Sequence, residues 1–229
     1  MRETITFEAG GVLAALRPSD TPGQPLIVFN SIEDEGGAVA SALSELSAPD
    51  CSLLTVYGLD WSRDMSPWPA PGVNKDGPSF PGGAEAYLHR LLKEILPGAY
   101  DRLSVVPDDT FIAGYSLAGL FALWSLFRCG SFSGAACVSG SLWYPGAAEY
   151  FRGHVPARLP DRLYLSLGDR EAAVRHPLLR TVRDQMEKTA ECFRDLGVPV
   201  KLEWNPGNHF QEPDRRTAKG ILALLIQET

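Results

Sequence analysis

Apolar residues in this chain follow two alternating rhythms. Short, nearly unbroken apolar runs at residues 26–30, 52–57, 110–113, 134–139, 162–167 and 200–204 read as strands. Unbroken apolarity, rather than strict alternation, is what a strand covered on both faces requires. Ahead of them, residues 4–8 and 12–17 flank Gly10-Gly11 and predict an antiparallel hairpin. Helical patterns fall between the runs, over residues 37–46, 84–96, 117–127, 177–196 and 213–226. In 84–96 the apolar positions Ala84, Tyr87, Leu88, Leu91, Leu92, Ile95 and Leu96 keep one helical face. Gly130 and Gly197 stand where helix C-caps belong.

A hairpin followed by alternating strands and helices predicts an α/β fold: an eight-stranded, mostly parallel sheet with helices on both faces. The 229 residues suit a single domain over 1–229, long enough to bury its own core. Reactive groups in such folds gather at the carboxyl ends of strands. One long irregular segment, 58–83, is rich in Pro, Gly and Trp. Loops of that length are uncommon unless functional, so it is expected near the active site, with Trp61 and Trp68 as pocket walls.

The run Thr110-Phe111-Ile112-Ala113-Gly114-Tyr115-Ser116-Leu117-Ala118-Gly119 carries the strongest chemical signal. An apolar strand, a serine between small residues and an apolar helix describe a sharp strand-to-helix bend that lifts the serine Oγ above the sheet. The bend crowds the positions two before and two after the serine. Gly114 meets that demand, and Ala118 stands where glycine is more usual. Ser116 is therefore the expected nucleophile of an α/β-hydrolase fold. The Leu117 N–H, at the start of a helix, is expected to face an oxyanion formed there. A second donor is expected from the loop after residues 26–30, through the N–H of Ser31 or Ile32.

In this fold the acid and the base follow the serine in that order along the chain. His89 precedes the serine; His154 and His176 fall too early. His209, in Asn205-Pro206-Gly207-Asn208-His209 after the last strand, is the expected base. Asp169 and Glu171 both follow Gly168 at the end of the preceding strand. Glu171, third after the glycine, is the expected acid; Asp169 is the alternative, otherwise a turn residue or N-cap.

Composition narrows the partners. The net charge is -7 and no basic cluster stands out, which argues against nucleic acid or an anionic membrane. The N-terminus lacks an apolar signal core, and no run approaches the roughly 18 apolar residues of a membrane span, so a cytoplasmic protein is expected. Cys51, Cys129, Cys137 and Cys192 show no metal-ligand spacing and read as reduced, mostly buried thiols. No metal and no cofactor are expected.

Five stretches together resemble the putative esterase family of α/β-hydrolases, which includes enterochelin esterases, S-formylglutathione hydrolases, feruloyl esterases and mycolyltransferases. They are Gly114-Tyr115-Ser116-Leu117-Ala118-Gly119, Ser139-Gly140-Ser141-Leu142-Trp143-Tyr144, Gly168-Asp169-Arg170-Glu171, Asn205-Pro206-Gly207-Asn208-His209 and Trp61-Ser62-Arg63-Asp64-Met65-Ser66-Pro67-Trp68. The resemblance implies a serine esterase forming an acyl-enzyme on a small-molecule ester, and it favours Glu171 as the acid. Trp143 and Tyr144 join Trp61 and Trp68 as expected substrate-binding residues. Three other readings stay open: an acyltransferase using the same acyl-enzyme, a siderophore esterase, and a non-catalytic binding protein on a hydrolase scaffold. The oligomeric state is not legible.

Overall fold

The computed structural model describes residues 3–74 and 77–226. Its eight strands are β1 (Ile5–Ala9), β2 (Val12–Arg17), β3 (Leu26–Asn30), β4 (Ser52–Tyr57), β5 (Thr110–Tyr115), β6 (Gly134–Val138), β7 (Arg162–Gly168) and β8 (Val200–Asn205). They form one sheet in the order β1-β2-β4-β3-β5-β6-β7-β8. The expected hairpin is present: β1 pairs antiparallel with β2, and β2 antiparallel with β4. From β4 through β8 every pairing is parallel. This is the α/β-hydrolase arrangement.

The principal helices are α1 (Gly36–Glu45), α2 (Trp61–Asp64), α3 (Ala84–Arg90), α4 (Leu96–Tyr100), α5 (Leu117–Arg128), α6 (Ala147–Gly153), α7 (Val182–Asp195) and α8 (Pro213–Leu225). Strand periodicity sorts the core into two layers. In β3, Ile27 and Phe29 pack toward Val39 and Leu43 of α1 and Ile221 and Leu224 of α8. Their neighbours Leu26 and Val28 face the opposite layer, built from α3, α5 and α7. Because side chains alternate across a strand, a helix layer on each face makes every position apolar.

Some boundaries differ from the sequence reading. The helix expected over 84–96 runs on to Tyr100 through a π turn at Leu91–Ile95, where the Leu96 N–H donates to the Leu91 carbonyl five residues back. This wider turn lies directly before Pro97, whose missing N–H and bulky ring do not fit a regular helix interior. The helix expected from 177 begins with a 3₁₀ turn, Leu179–Thr181, and becomes α-helical only at Val182. Helix α6, and the turn α2 inside the 58–83 segment, were not foreseen; both are short and carry little periodicity.

The strand order reverses around β3. Its connection to β4 leaves on one side, and β5 lies on the other. Such switch points open a crevice at the carboxyl ends of the strands. Asn30, the last residue of β3, pairs with Gly114 of β5, so the loops leaving these two strands start side by side.

Candidate active site

Strand β5 runs straight into Ser116, the residue before α5, which has φ 57° and ψ -119°. A non-glycine residue there is strained, and surrounding contacts must hold it. The Ser116 N–H donates to the Val138 carbonyl of β6, while its own carbonyl accepts from Gly119 and Ser141. The strand-to-helix bend expected from the sequence is thus built from both sides.

His209 lies in the loop between β8 and α8. Its Nε2 is 3.0 Å from Ser116 Oγ, and its Nδ1 is 2.7 Å from Glu171 Oε2. A carboxylate can only accept, so Nδ1 carries the proton in that contact and Nε2 offers a lone pair to the serine hydroxyl. Glu171 is buried. Burial acts to raise its pKa, but the hydrogen bond and charge of His209, the Gly168 N–H and the Ser139 hydroxyl outweigh it, and the net direction is downward. The Gly168 N–H donates to Oε1 at 2.6 Å. Ser116, His209 and Glu171 are therefore joined in one continuous chain of hydrogen bonds.

Asp169 has different work. Its Oδ1 accepts from the Gly207 N–H at 2.8 Å, and its own N–H donates to the Asn205 carbonyl. It pins the loop that bears His209 and does not touch the imidazole.

Two cavities meet at Ser116 and His209. One, of about 290 Å³, is bounded by Ser31, Ile32, Glu35, Trp61, Tyr115 and Asp214 among others. The other, of about 280 Å³, is bounded by Val73, Ser141, Trp143, Val174, Leu179 and Val182 among others. Phe210 borders both and is 85% exposed.

Residues 34–193 match the family model described as "Putative esterase". The chain belongs to that family. A relative from Bacillus subtilis (strain 168), "Uncharacterized protein YbbA", is 24% identical over 162 residues, covering 69% of this chain and 64% of the relative. The match thus spans under two thirds of that protein's length. Among solved structures, an IroE-like serine hydrolase from Shewanella oneidensis superposes with a TM-score of 0.83 at 18% identity, over 97% of this chain and 80% of the other. The siderophore hydrolase EstA from Aspergillus nidulans gives 0.74 at 18%, over 97% and 92%. The enterobactin esterase FES from Shigella flexneri gives 0.70 at 16%, over 97% and 58%. Likeness at these identities speaks for the fold.

Within this esterase-family chain, several expected site residues are placed differently. Ser31 is corrected as an oxyanion donor: its N–H already donates to the Val56 carbonyl at 3.0 Å. Ile32 is left as the donor candidate of that loop. Trp61 and Trp143 border the two cavities, but Trp68 and Tyr144 border neither. Tyr144 is buried, and its hydroxyl donates to the Trp68 carbonyl at 2.6 Å. The Trp68 Nε1–H donates to the Pro145 carbonyl at 2.8 Å, and its ring packs on Tyr144 and Tyr150. These two aromatics tie the 58–83 segment to the turn before α6. That segment is also less irregular than expected: Ala70 and Phe80 form an antiparallel bridge, and buried Asp64 of α2 pairs with Arg63 and Arg90, each at 3.1 Å. Of the cysteines, only Cys137 is buried; the other three are half-buried.

The sequence reading missed three residues at the site. Ser141 Oγ lies 3.3 Å from Ser116 Oγ. Phe210 borders both cavities, yet as the neighbour of His209 it carried no pattern of its own. Arg216 reaches Glu171 from α8. Its signal was available: it precedes Gly220 by one helical turn on the buried face of α8, where an arginine is out of place.

Proposed function

We propose that this chain is a serine carboxylic-ester hydrolase working through an acyl-enzyme. The observation that carries the reading is the relay of Ser116, His209 and Glu171, with contacts of 3.0 and 2.7 Å at the mouth of two cavities. His209 Nε2 takes the hydroxyl proton as Ser116 Oγ bonds to the ester carbonyl carbon. The carbonyl oxygen becomes an oxyanion held by the N–H groups of Leu117 and Ile32. Collapse breaks the bond to the alcohol oxygen, which leaves with the proton from His209. Water then attacks the acyl-serine, giving its proton to His209, and Ser116 is regenerated with release of the acid. Glu171 stays ionised throughout and stabilises the imidazolium.

The cavities suggest a small ester with a substituent on each side of the scissile bond. Val73, Trp143, Val174, Leu179 and Val182 suit an apolar group on one side. A siderophore substrate is the second reading, favoured by the fold shared with siderophore hydrolases. The charged groups facing the other cavity are Glu35 and Asp214, and no Lys or Arg is among the described residues bordering either cavity. That wall suits a neutral ester better than an anionic catechol conjugate.

A panel of p-nitrophenyl esters of increasing acyl length, with Ser116→Ala alongside, tests the proposal. Turnover by the wild type that falls as the acyl chain outgrows the cavity, with none by the variant, is the expected result. Turnover unaffected by Ser116→Ala would refute it.

A further inference from the structure

The guanidinium of Arg216 is the largest buried charge beside the relay. Arg216 is 2% exposed, on the first turn of α8. Burying such a group costs several kcal/mol unless it is paired and hydrogen-bonded. Its partners are specific. Nη2 donates to the Pro206 carbonyl at 2.7 Å, and Nη1 to the Asn208 carbonyl at 3.0 Å. Those two carbonyls belong to the loop that leads into His209. Nη1 also lies 3.3 Å from Glu171 Oε1, the oxygen that does not face the imidazole. Ser139 Oγ at 3.3 Å and Tyr115 Oη at 3.4 Å are the further neighbours of Nη1, while Nε is buried without a partner among the described residues. Nη1 has two hydrogens for four acceptors, so the closer Asn208 carbonyl and the anionic Glu171 are the dominant pair. Tyr115 adds a further tie, because its hydroxyl donates to the His209 carbonyl at 2.6 Å.

We propose that Arg216 is the positioning residue of the relay: one guanidinium fixes the base-bearing loop through two carbonyls and the acid through Oε1, the oxygen that also accepts from the Gly168 N–H. Glu171 and His209 come from different loops, after β7 and β8; Asp169 ties the two backbones together, and Arg216 is the side chain that reaches both the carboxylate of Glu171 and the carbonyls leading into His209. Arg216 never meets the reacting atoms; it acts through His209 and Glu171. Lysine would keep the charge but cannot span both carbonyls and the carboxylate with a planar fork. Gly168 packs closely against this arrangement: a Cβ there would come within 3.0 Å of Nη1 and 2.9 Å of Glu171 Oε1.

This assignment rests on the serine-esterase reading, and the test separates the two. Arg216→Ala and Arg216→Lys are compared with wild type, each normalised to the serine titrated by a fluorophosphonate, with Ser116→Ala as the control that takes no label. The expected result is a fall in kcat per titrated serine of about tenfold to hundredfold, as misplacement on the order of 1 Å produces, with KM within about threefold. Added guanidinium ion should restore part of the kcat of Arg216→Ala. The low-field proton resonance of the His209–Glu171 hydrogen bond should weaken in both variants. Where Arg216→Ala does not fold, Arg216→Lys decides by the same kcat and resonance. Wild-type kcat per titrated serine, or loss of activity only in proportion to loss of titratable protein, would overturn the positioning role. A wild type that neither turns over esters nor takes the label would instead defeat the esterase reading itself.

Discussion

Gly114 and Ala118 face each other across the bend that holds Ser116: a Cβ on residue 114 would stand 2.7 Å from the Ala118 Cβ and closer still to the Ala118 carbonyl. Gly114→Ala therefore forces the strand end and the first turn of α5 apart. A destabilisation of about 1–3 kcal/mol is expected, together with loss of esterase activity, because Ser116 and the Leu117 N–H move with that turn. Ala118→Gly removes only a methyl and should leave kcat within a few-fold of wild type. Denaturant unfolding and ester kinetics on both variants check this asymmetry.

Glu171→Gln keeps the shape of the acid but allows an amide N–H to face His209 Nδ1. The imidazole is then free to adopt the wrong tautomer, and kcat should drop by roughly 10³–10⁴-fold. Stability should show a matching pH dependence. The folded pKa of Glu171 lies below its ordinary 4.5. Its contribution is thus fully present above the unfolded value and is lost as pH falls through the lower folded value. The gap in thermal midpoint between wild type and Glu171→Gln should be constant near neutrality and close on acidification below about pH 4.5.

The two neighbours Trp143 and Tyr144 should respond oppositely to substitution. Trp143→Ala enlarges the apolar cavity and should raise KM for small acyl esters several-fold with little change in Tm. Tyr144→Phe removes the hydrogen bond to the Trp68 carbonyl and should cost about 1 kcal/mol of stability, with KM nearly unchanged. Kinetics and calorimetry on the pair separate wall from tie.

This pair also shows what the sequence could carry. The alternation of runs marked every strand to within a residue or two, because continuous apolarity and turn glycines are local signals. The meeting of Ser116 with His209 was legible from the bend motif and chain order, and the contact of Glu171 with His209 from its place after Gly168. What escaped depended on long-range partners. Nothing in the string Trp143-Tyr144 says which ring faces the cavity and which one is buried under Trp68. The Ser31 N–H was spent on a carbonyl in β4, a contact set by strand pairing. Arg216 lies on the buried face of α8, but only the fold shows which loop carbonyls it holds.

The thiols offer an independent check on the packing. Burial pushes the Cys51 thiol up to about 12 and raises Cys129 and Cys137 as well. None of these is a thiolate at neutral pH, so thiol alkylation of native protein should spare Cys51 and Cys137 and leave esterase activity intact. Peptide mapping after brief iodoacetamide treatment measures this.

The most direct test of the central claim is mass spectrometry of the protein quenched within the first turnovers of a p-nitrophenyl ester. A covalent acyl adduct on the peptide containing Ser116, absent in Ser116→Ala and accumulating in a variant slowed at deacylation, is the expected result. Turnover of the ester with no adduct on Ser116, or an adduct on a different residue, would contradict it.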